Sequence, residues 1–219
     1  MKHSACMKLL SDLIDGETIT ITNLSSNARM WSALHGERPS FYGLNMGLCL
    51  PFAVGVALAF PKRRVVAIDG DGSLIIETSS LITAADVRPA NLTAVVFDNG
   101  VYAGMGETAT ARRTDLAKMA EGAGIAHTAT LRTMEEYEKA LRAALAAKEF
   151  RFLVAKVERD DTLPFTGNYI KRSERGMKVL YGLDGFDDDA TQTMAGLLAL
   201  PFRHDRVRSR GALVVPSQK

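Results

Sequence analysis

Two stretches decide the fold: Arg64-Val65-Val66-Ala67-Ile68-Asp69-Gly70-Asp71-Gly72-Ser73 and Leu92-Thr93-Ala94-Val95-Val96-Phe97-Asp98-Asn99-Gly100-Val101-Tyr102. Each begins as a short, nearly continuous apolar run rich in β-branched residues and ends in acidic, amide and glycine residues. Such runs suit strands buried on both faces of a parallel sheet. The interval from Gly70-Asp71-Gly72 to Asp98-Asn99 is 25 residues, Ser73 through Phe97. That length accommodates one crossover helix, which places Asp71 and Asn99 at the carboxyl ends of neighbouring strands. An open α/β sheet binds its ligands at that edge.

Outward from these strands the same alternation continues. Met7, Leu9, Leu10, Leu13 and Ile14 give residues 4–15 the spacing of a short amphipathic helix. Thr18 to Thr22 is a β-branched strand, Ser26 to Leu34 a helix, and Phe41-Tyr42-Gly43 a short extended piece. An uncharged run from Met46 to Phe60 reads as a buried helix. It is shorter than the ~18 to 20 residues of a membrane span and contains Pro51. A helix is expected from about Ile76 to Val87, stopping before Pro89. Thr114-Asp115 caps a helix to about Glu121, ended by Gly122 and Gly124, and Ile125 to Thr130 is a weaker strand. Thr133 with Glu135 and Glu136 opens a helix through Lys148, and Phe152 to Val157 is the last clear strand. The expected architecture is α/β, a mostly parallel sheet with helices on both faces over residues 1–159. Residues 160–219 lose the alternation and are expected to form an irregular extension that packs on a partner or is partly disordered.

Composition excludes several classes. With 219 residues, 47% hydrophobic and 24% charged, the chain has the balance of a globular domain. A formal net charge of +2 gives no reason to expect nucleic acid or membrane. The N-terminus has no apolar segment followed by a small-residue cleavage site. Cys6 and Cys49 are the only cysteines, far apart and without CxxC spacing, so zinc and iron–sulfur sites are unsupported and a reducing cytoplasm is expected.

Aspartate followed by glycine at a strand end suits metal-assisted diphosphate binding. Asp71 supplies a hard anionic oxygen, Gly72 permits close backbone approach, and the amides of Gly72 and Ser73 are placed to meet phosphate oxygens. Asn99 adds a neutral oxygen, and Gly100 lets the chain turn so that a nearby carbonyl joins the same ion. A hairpin turned around Asp71-Gly72 is the bland rival. An EF-hand loop starting at Asp69 fails, because its sixth position is Leu74 and its twelfth Ser80. No GxGxxG opens the first helix, and no GxxxxGK[ST] loop is present.

GDGS, the interval of 25 residues and DNGVY together resemble the thiamine diphosphate motif that begins GDG and ends in paired asparagines. The stretch from Phe41 to Tyr102 is similar to the diphosphate-binding domain of 2-oxo-acid decarboxylases, in the style of the sulfopyruvate decarboxylase β subunit and the matching half of phosphonopyruvate decarboxylase. The resemblance implies thiamine diphosphate and Mg2+, with Asp71, the Asn99 side chain and the Val101 carbonyl as metal ligands. It assigns the diphosphate to the Gly72 and Ser73 amides. Leu44-Asn45-Met46-Gly47 falls where the family often carries Gly-Ser-Met-Gly or Gly-Ser-Ile-Gly. Met46 is then the wedge beneath a bent cofactor, and the Leu44 carbonyl an acceptor for its aminopyrimidine. Core packing explains Met46 equally well. Asp98 departs from the usual first asparagine, at a position not expected to bind metal. Tyr102, Gly104 and Gly106 belong either to a loop over the phosphates or to an ordinary connection. His35 and His127 are read as structural, and Arg112 and Arg113 as a solvated pair, with binding of an anionic substrate tail as the alternative.

In that family a glutamate from a separate pyrimidine-binding domain activates the cofactor. The chain is too short before Asp71 to supply such a domain, and Glu17 and Glu37 lie in the wrong context. The resemblance therefore implies half of a decarboxylase for a small 2-oxo acid, completed by a pyrimidine-binding α-type subunit in a hetero-oligomer and inactive alone. Two alternatives stand beside it: a non-catalytic cofactor-binding or assembly subunit, and the β subunit of a 2-oxo-acid:ferredoxin oxidoreductase.

Overall fold

The computed structural model describes residues 1–35, 38–102 and 105–158. Glu37, Gly104 and the extension over 160–219 lie outside the described residues. The first elements are α1 (His3–Leu13), β1 (Ile19–Asn23), α2 (Ser26–His35), β2 (Ser40–Leu44), α3 (Cys49–Ala59) and β3 (Val65–Gly70). There follow α4 (Asp71–Ile76), α5 (Ser80–Val87), β4 (Leu92–Asp98), β5 (Val101–Tyr102), β6 (Gly106–Glu107), α6 (Leu116–Gly122), β7 (Thr128–Leu131), α7 (Met134–Ala146) and β8 (Arg151–Lys156).

Six strands form one sheet in the order β2-β1-β3-β4-β8-β7, and every pairing in it is parallel. The order reverses beside β1: β2 lies on one side of it and β3 on the other, so a crevice opens at their carboxyl ends. Because β3 and β4 are buried throughout, alternate residues serve opposite faces, which is why both runs read as continuous hydrophobe. One face receives α1, α2 and α7, where Met7, Leu10, Trp31, Tyr137 and Leu141 pack with Val66, Ile68, Val95 and Phe97. The other receives α3, α5 and α6.

Three local expectations are corrected. The apolar helix starts at Cys49 rather than near Met46, because Gly47 has φ +86°, outside the helical region. That helix is not buried all round: Leu58 is 58% exposed, and Leu48, just before its first residue, is 48% exposed. The crossover between β3 and β4 is two helices, broken at Glu77–Ser79, and the first begins at Asp71 itself rather than at Ile76. Phe41-Tyr42-Gly43 proves to be part of a full sheet strand paired with β1. Among the described residues no helix is long and apolar enough to cross a membrane.

Candidate active site

Asp71 is the first residue of α4 and follows β3 without a loop, so its position is fixed by the sheet. No hairpin turns at this point; the chain enters a helix. The carboxylate is buried at 3% exposure. Its Oδ2 accepts hydrogen bonds from Thr108 Oγ1 at 2.6 Å and from Thr110 Oγ1 at 3.0 Å, and Oδ1 takes neither. Burial raises its pKa above the ordinary carboxylate value, and the Thr108 hydroxyl works against that rise.

Thr110 Oγ1 also lies 2.8 Å from Asp98 Oδ1 and 2.7 Å from Thr108 Oγ1. Each hydroxyl has one proton to donate, so Thr110 serves Asp71 or Asp98 but not both at once. Asp98 Oδ2 accepts from Lys156 Nζ, and Lys156 also donates to the Thr110 carbonyl at 3.2 Å. A continuous polar chain thus runs Asp71, Thr108 and Thr110, Asp98, Lys156, across the ends of three adjacent strands. Thr108, Thr110 and Lys156 were not singled out from the sequence. Asp98 and Lys156 are opposite one another on β4 and β8, strands 58 residues apart along the chain, and only knowledge of that crossover pairing would have found them.

Asn99 follows β4, next to β3 and Asp71, half-buried, and its Oδ1 accepts the Val101 N–H at 3.0 Å. The two predicted side-chain ligands are therefore on adjacent strand ends, with Gly70 opposite Phe97 in the register. Val101 opens the small β5–β6 hairpin, whose bond from Thr108 N–H to the Gly100 carbonyl, 2.8 Å, leaves Val101 at a non-hydrogen-bonded pair. Gly100 makes this turn at φ +70°. No three His, Cys, Asp or Glu side chains gather into a metal cluster among the described residues, so a cation here would rest on the mixed carboxylate, amide and carbonyl set. Such hard oxygen donors fit magnesium.

Gly72 owes its identity to Tyr102. A Cβ on Gly72 would lie 2.5 Å from Tyr102 Cε1, so the ring occupies the space a side chain would take. Ser73 is 2% exposed and its Oγ accepts the Gly47 N–H at 3.0 Å, which ties the start of α4 to the turn after Met46. Met46 is half-buried in that turn, beside the glycine that prevents a helix. The Leu44 carbonyl accepts the Leu24 N–H at 2.9 Å, a bond that commits one lone pair within the protein.

Three further polar side chains, Asn23, Asn27 and Asp69, crowd the same edge. Asn27 Nδ2 donates to Asn23 Oδ1 at 2.8 Å, and both amides approach Gly70. Asp69 Oδ1 accepts the Gly70 N–H at 2.8 Å, while its Oδ2 and Asn27 Oδ1 are buried without a hydrogen-bond partner among the described residues. Burial pushes the Asp69 carboxyl up to about 6. His35 lies at the far end of α2 from this edge, stacked on Trp31, and His127 pairs with Glu149. Neither histidine joins the site.

Residues 25–155 match the family described as thiamine pyrophosphate enzyme, C-terminal TPP binding domain. The chain is 30% identical over 167 residues to the sulfopyruvate decarboxylase subunit beta of Methanocaldococcus jannaschii, covering 75% of this chain and 85% of that subunit. It is 32% identical to the phosphonopyruvate decarboxylase of Streptomyces viridochromogenes, over 65% of this chain and 36% of that enzyme. The solved benzoylformate decarboxylase of Polynucleobacter necessarius shares the fold with a TM-score of 0.64 at 19% identity, covering 74% of this chain and 34% of that chain. The chain thus spans most of a β subunit and about a third of the single-chain enzymes.

Proposed function

This chain belongs to the thiamine pyrophosphate enzymes, through their C-terminal cofactor-binding domain, and on that premise we propose that it is the diphosphate-binding subunit of a decarboxylase for a small 2-oxo acid of the sulfopyruvate or phosphonopyruvate kind. The carrying observation is the juxtaposition of Asp71 and Asn99 on adjacent strand ends, with the Thr108 hydroxyl donating to Oδ2 of Asp71 and Thr110 Oγ1 lying near that same oxygen.

Asp71, Asn99 and the Val101 carbonyl would hold Mg2+, and the amides of Gly72 and Ser73 would hold the diphosphate. The Ser73–Gly47 bond brings Met46 to the same edge, where its side chain would support the cofactor. When bound, the cofactor supplies an electron sink for the pair released with carbon dioxide. The protein's own part is positional. Thr108 fixes the Asp71 carboxylate, and the Asp98–Lys156 pair anchors the strand end from which Asn99 projects.

The activating glutamate would come from a pyrimidine-binding α-type subunit. The length match to a protein named subunit beta supports that division. The outer face of α3, with Leu48 and Leu58, and the nearby Ile76 and Ile82 offer an apolar surface for such a partner.

Calorimetric titration with thiamine diphosphate and Mg2+, with and without the co-purified α-type subunit, tests the proposal. Binding lost in Asp71→Ala and decarboxylation appearing only in the two-subunit sample are expected. Full turnover of a 2-oxo acid by this chain alone would overturn it.

A further inference from the structure

A cavity of about 690 Å³ opens at the carboxyl ends of β4 and β8. Its basic side chains arrive from separate parts of the chain: Arg112 and Arg113 before α6, Lys118 on α6, Arg132 between β7 and α7, and Lys156 at the end of β8. Convergence from four segments is what distinguishes a lined site from a run of solvated charge.

Asp98, Asp115 and Glu158 also line the cavity, each with partners of its own. Asp98 is paired with Lys156 and accepts from Thr110 and the Gly100 N–H. Asp115 caps α6 through the amides of Ala117 and Lys118 and accepts the Thr130 hydroxyl. Glu136 accepts the Arg132 and Thr133 amides, and Glu158 faces the amino group of Met1 at 3.6 Å. Arg112 is bonded to Glu107 at 3.1 Å. Arg113, Lys118 and Arg132 have no carboxylate within ion-pair distance among the described residues.

We propose that this cavity, lined by Arg113, Lys118 and Arg132 at the carboxyl ends of β4 and β8, binds a small polyanion carrying two or more phosphoryl groups. Its volume lies in the range of small-molecule sites, well above what one phosphate fills. Arginine forks and a lysine ammonium are the groups that recognise phosphoryl oxygens. The lining's cations, Arg112, Arg113, Lys118, Arg132 and Lys156, outnumber its carboxylates, Asp98, Asp115 and Glu158, by two, which calls for a ligand with more than one negative charge. The cavity adjoins the Asp71 centre, since Asn99 and Gly100 also line it, but its chemistry differs: it needs no metal ion, and its anion contacts are Arg113, Lys118 and Arg132.

The test is calorimetry of the full chain with inorganic tripolyphosphate in EDTA at low ionic strength. One binding event per chain is expected, weakened at least tenfold in the Arg113→Ala/Lys118→Ala/Arg132→Ala variant. A control that removes equal charge elsewhere, Lys62→Ala/Lys139→Ala/Lys148→Ala, is expected to bind as the parent does. Asp71→Ala is expected to retain tripolyphosphate binding even though it loses metal-dependent cofactor binding, which keeps the two readings separately testable. ATP without metal, bound with an affinity within a few-fold of tripolyphosphate, would support recognition of the phosphoryl chain. Equal weakening by the control variant, loss of binding in Asp71→Ala, or tighter binding of a single-stranded oligonucleotide than of tripolyphosphate would each overturn the proposal.

Discussion

Asp98 and Lys156 show how one substitution in a motif is accommodated. Where the family pattern has asparagine, this chain carries a carboxylate whose side chain is 1% exposed, and Lys156 on the adjoining strand meets it. Removing one partner of a buried pair leaves an uncompensated charge. Lys156→Met is therefore expected to lower the unfolding free energy by about 3 kcal/mol in urea denaturation, and Asp98→Asn added to it is expected to restore most of that loss. Independent, additive losses would show that the two do not act as a pair. Thr108 makes the shortest bond to Asp71 and has no exposed surface. A hydrogen bond to a charged group contributes about 1.5–3 kcal/mol, so Thr108→Val is expected to cost about 2 kcal/mol while Thr108→Ser keeps most of it. The same urea titration decides, and a valine variant as stable as the parent would show the bond to be unimportant. Asp71 and Asn99 were legible from the sequence because each ends an apolar run. Thr108, Thr110 and Lys156 were not, since their partners are reached only through the hairpin and a crossover strand.

The glycine at the start of α4 shows where element-level reading stops. From the sequence, Gly72 suits close approach of a phosphate; the structure adds that the Tyr102 ring fills the space a Cβ would take. An exposed helical glycine replaced by alanine gains about 1 kcal/mol. Here Gly72→Ala is expected instead to destabilise by about 1–3 kcal/mol, as overpacking does. Tyr102→Ala combined with it is expected to recover stability beyond additivity, by a double-mutant cycle read in thermal or urea unfolding. Additive effects would mean that the ring is free to move aside. The six strands of the main sheet, their parallel arrangement and the capping box of α7 were legible, because each rests on local pattern: buried β-branched runs, crossover spacing, and Thr133 with Glu136; the β5–β6 hairpin was not. Helix boundaries at α3 and α4 were not. Gly47 and the Glu77–Ser79 break act through backbone conformation, which composition does not display.

At the scale of the whole molecule the buried ionisable groups set how the fold responds to pH. His35 is 3% exposed, stacks on Trp31, and has both ring nitrogens buried without a hydrogen-bond partner among the described residues. Burial, with the positive charge of Arg38, lowers its pKa from 6.5 to about 4. A depressed folded-state value means that the neutral ring's contribution is complete above about 6.5 and is lost as pH falls toward 4. Asp69 acts in the opposite sense. Its folded value of about 6 lies above its ordinary 3.8, so its contribution is complete below 3.8 and fades as pH rises through 6. The two partly offset each other in the parent protein, and the difference between parent and variant is the informative quantity. His35→Phe keeps an aromatic ring against Trp31 and removes the titration. Between pH 6.5 and 4 the variant is expected to gain on the parent by about 3 kcal/mol, from about 1.4 kcal/mol per pKa unit, measured as unfolding free energy in urea at successive pH values. Asp69 and the other carboxylates titrate in both proteins and cancel from that difference. Parallel stability curves across this window would mean that the imidazole is protonated in the fold, and that the end of α2 opens to admit the charge.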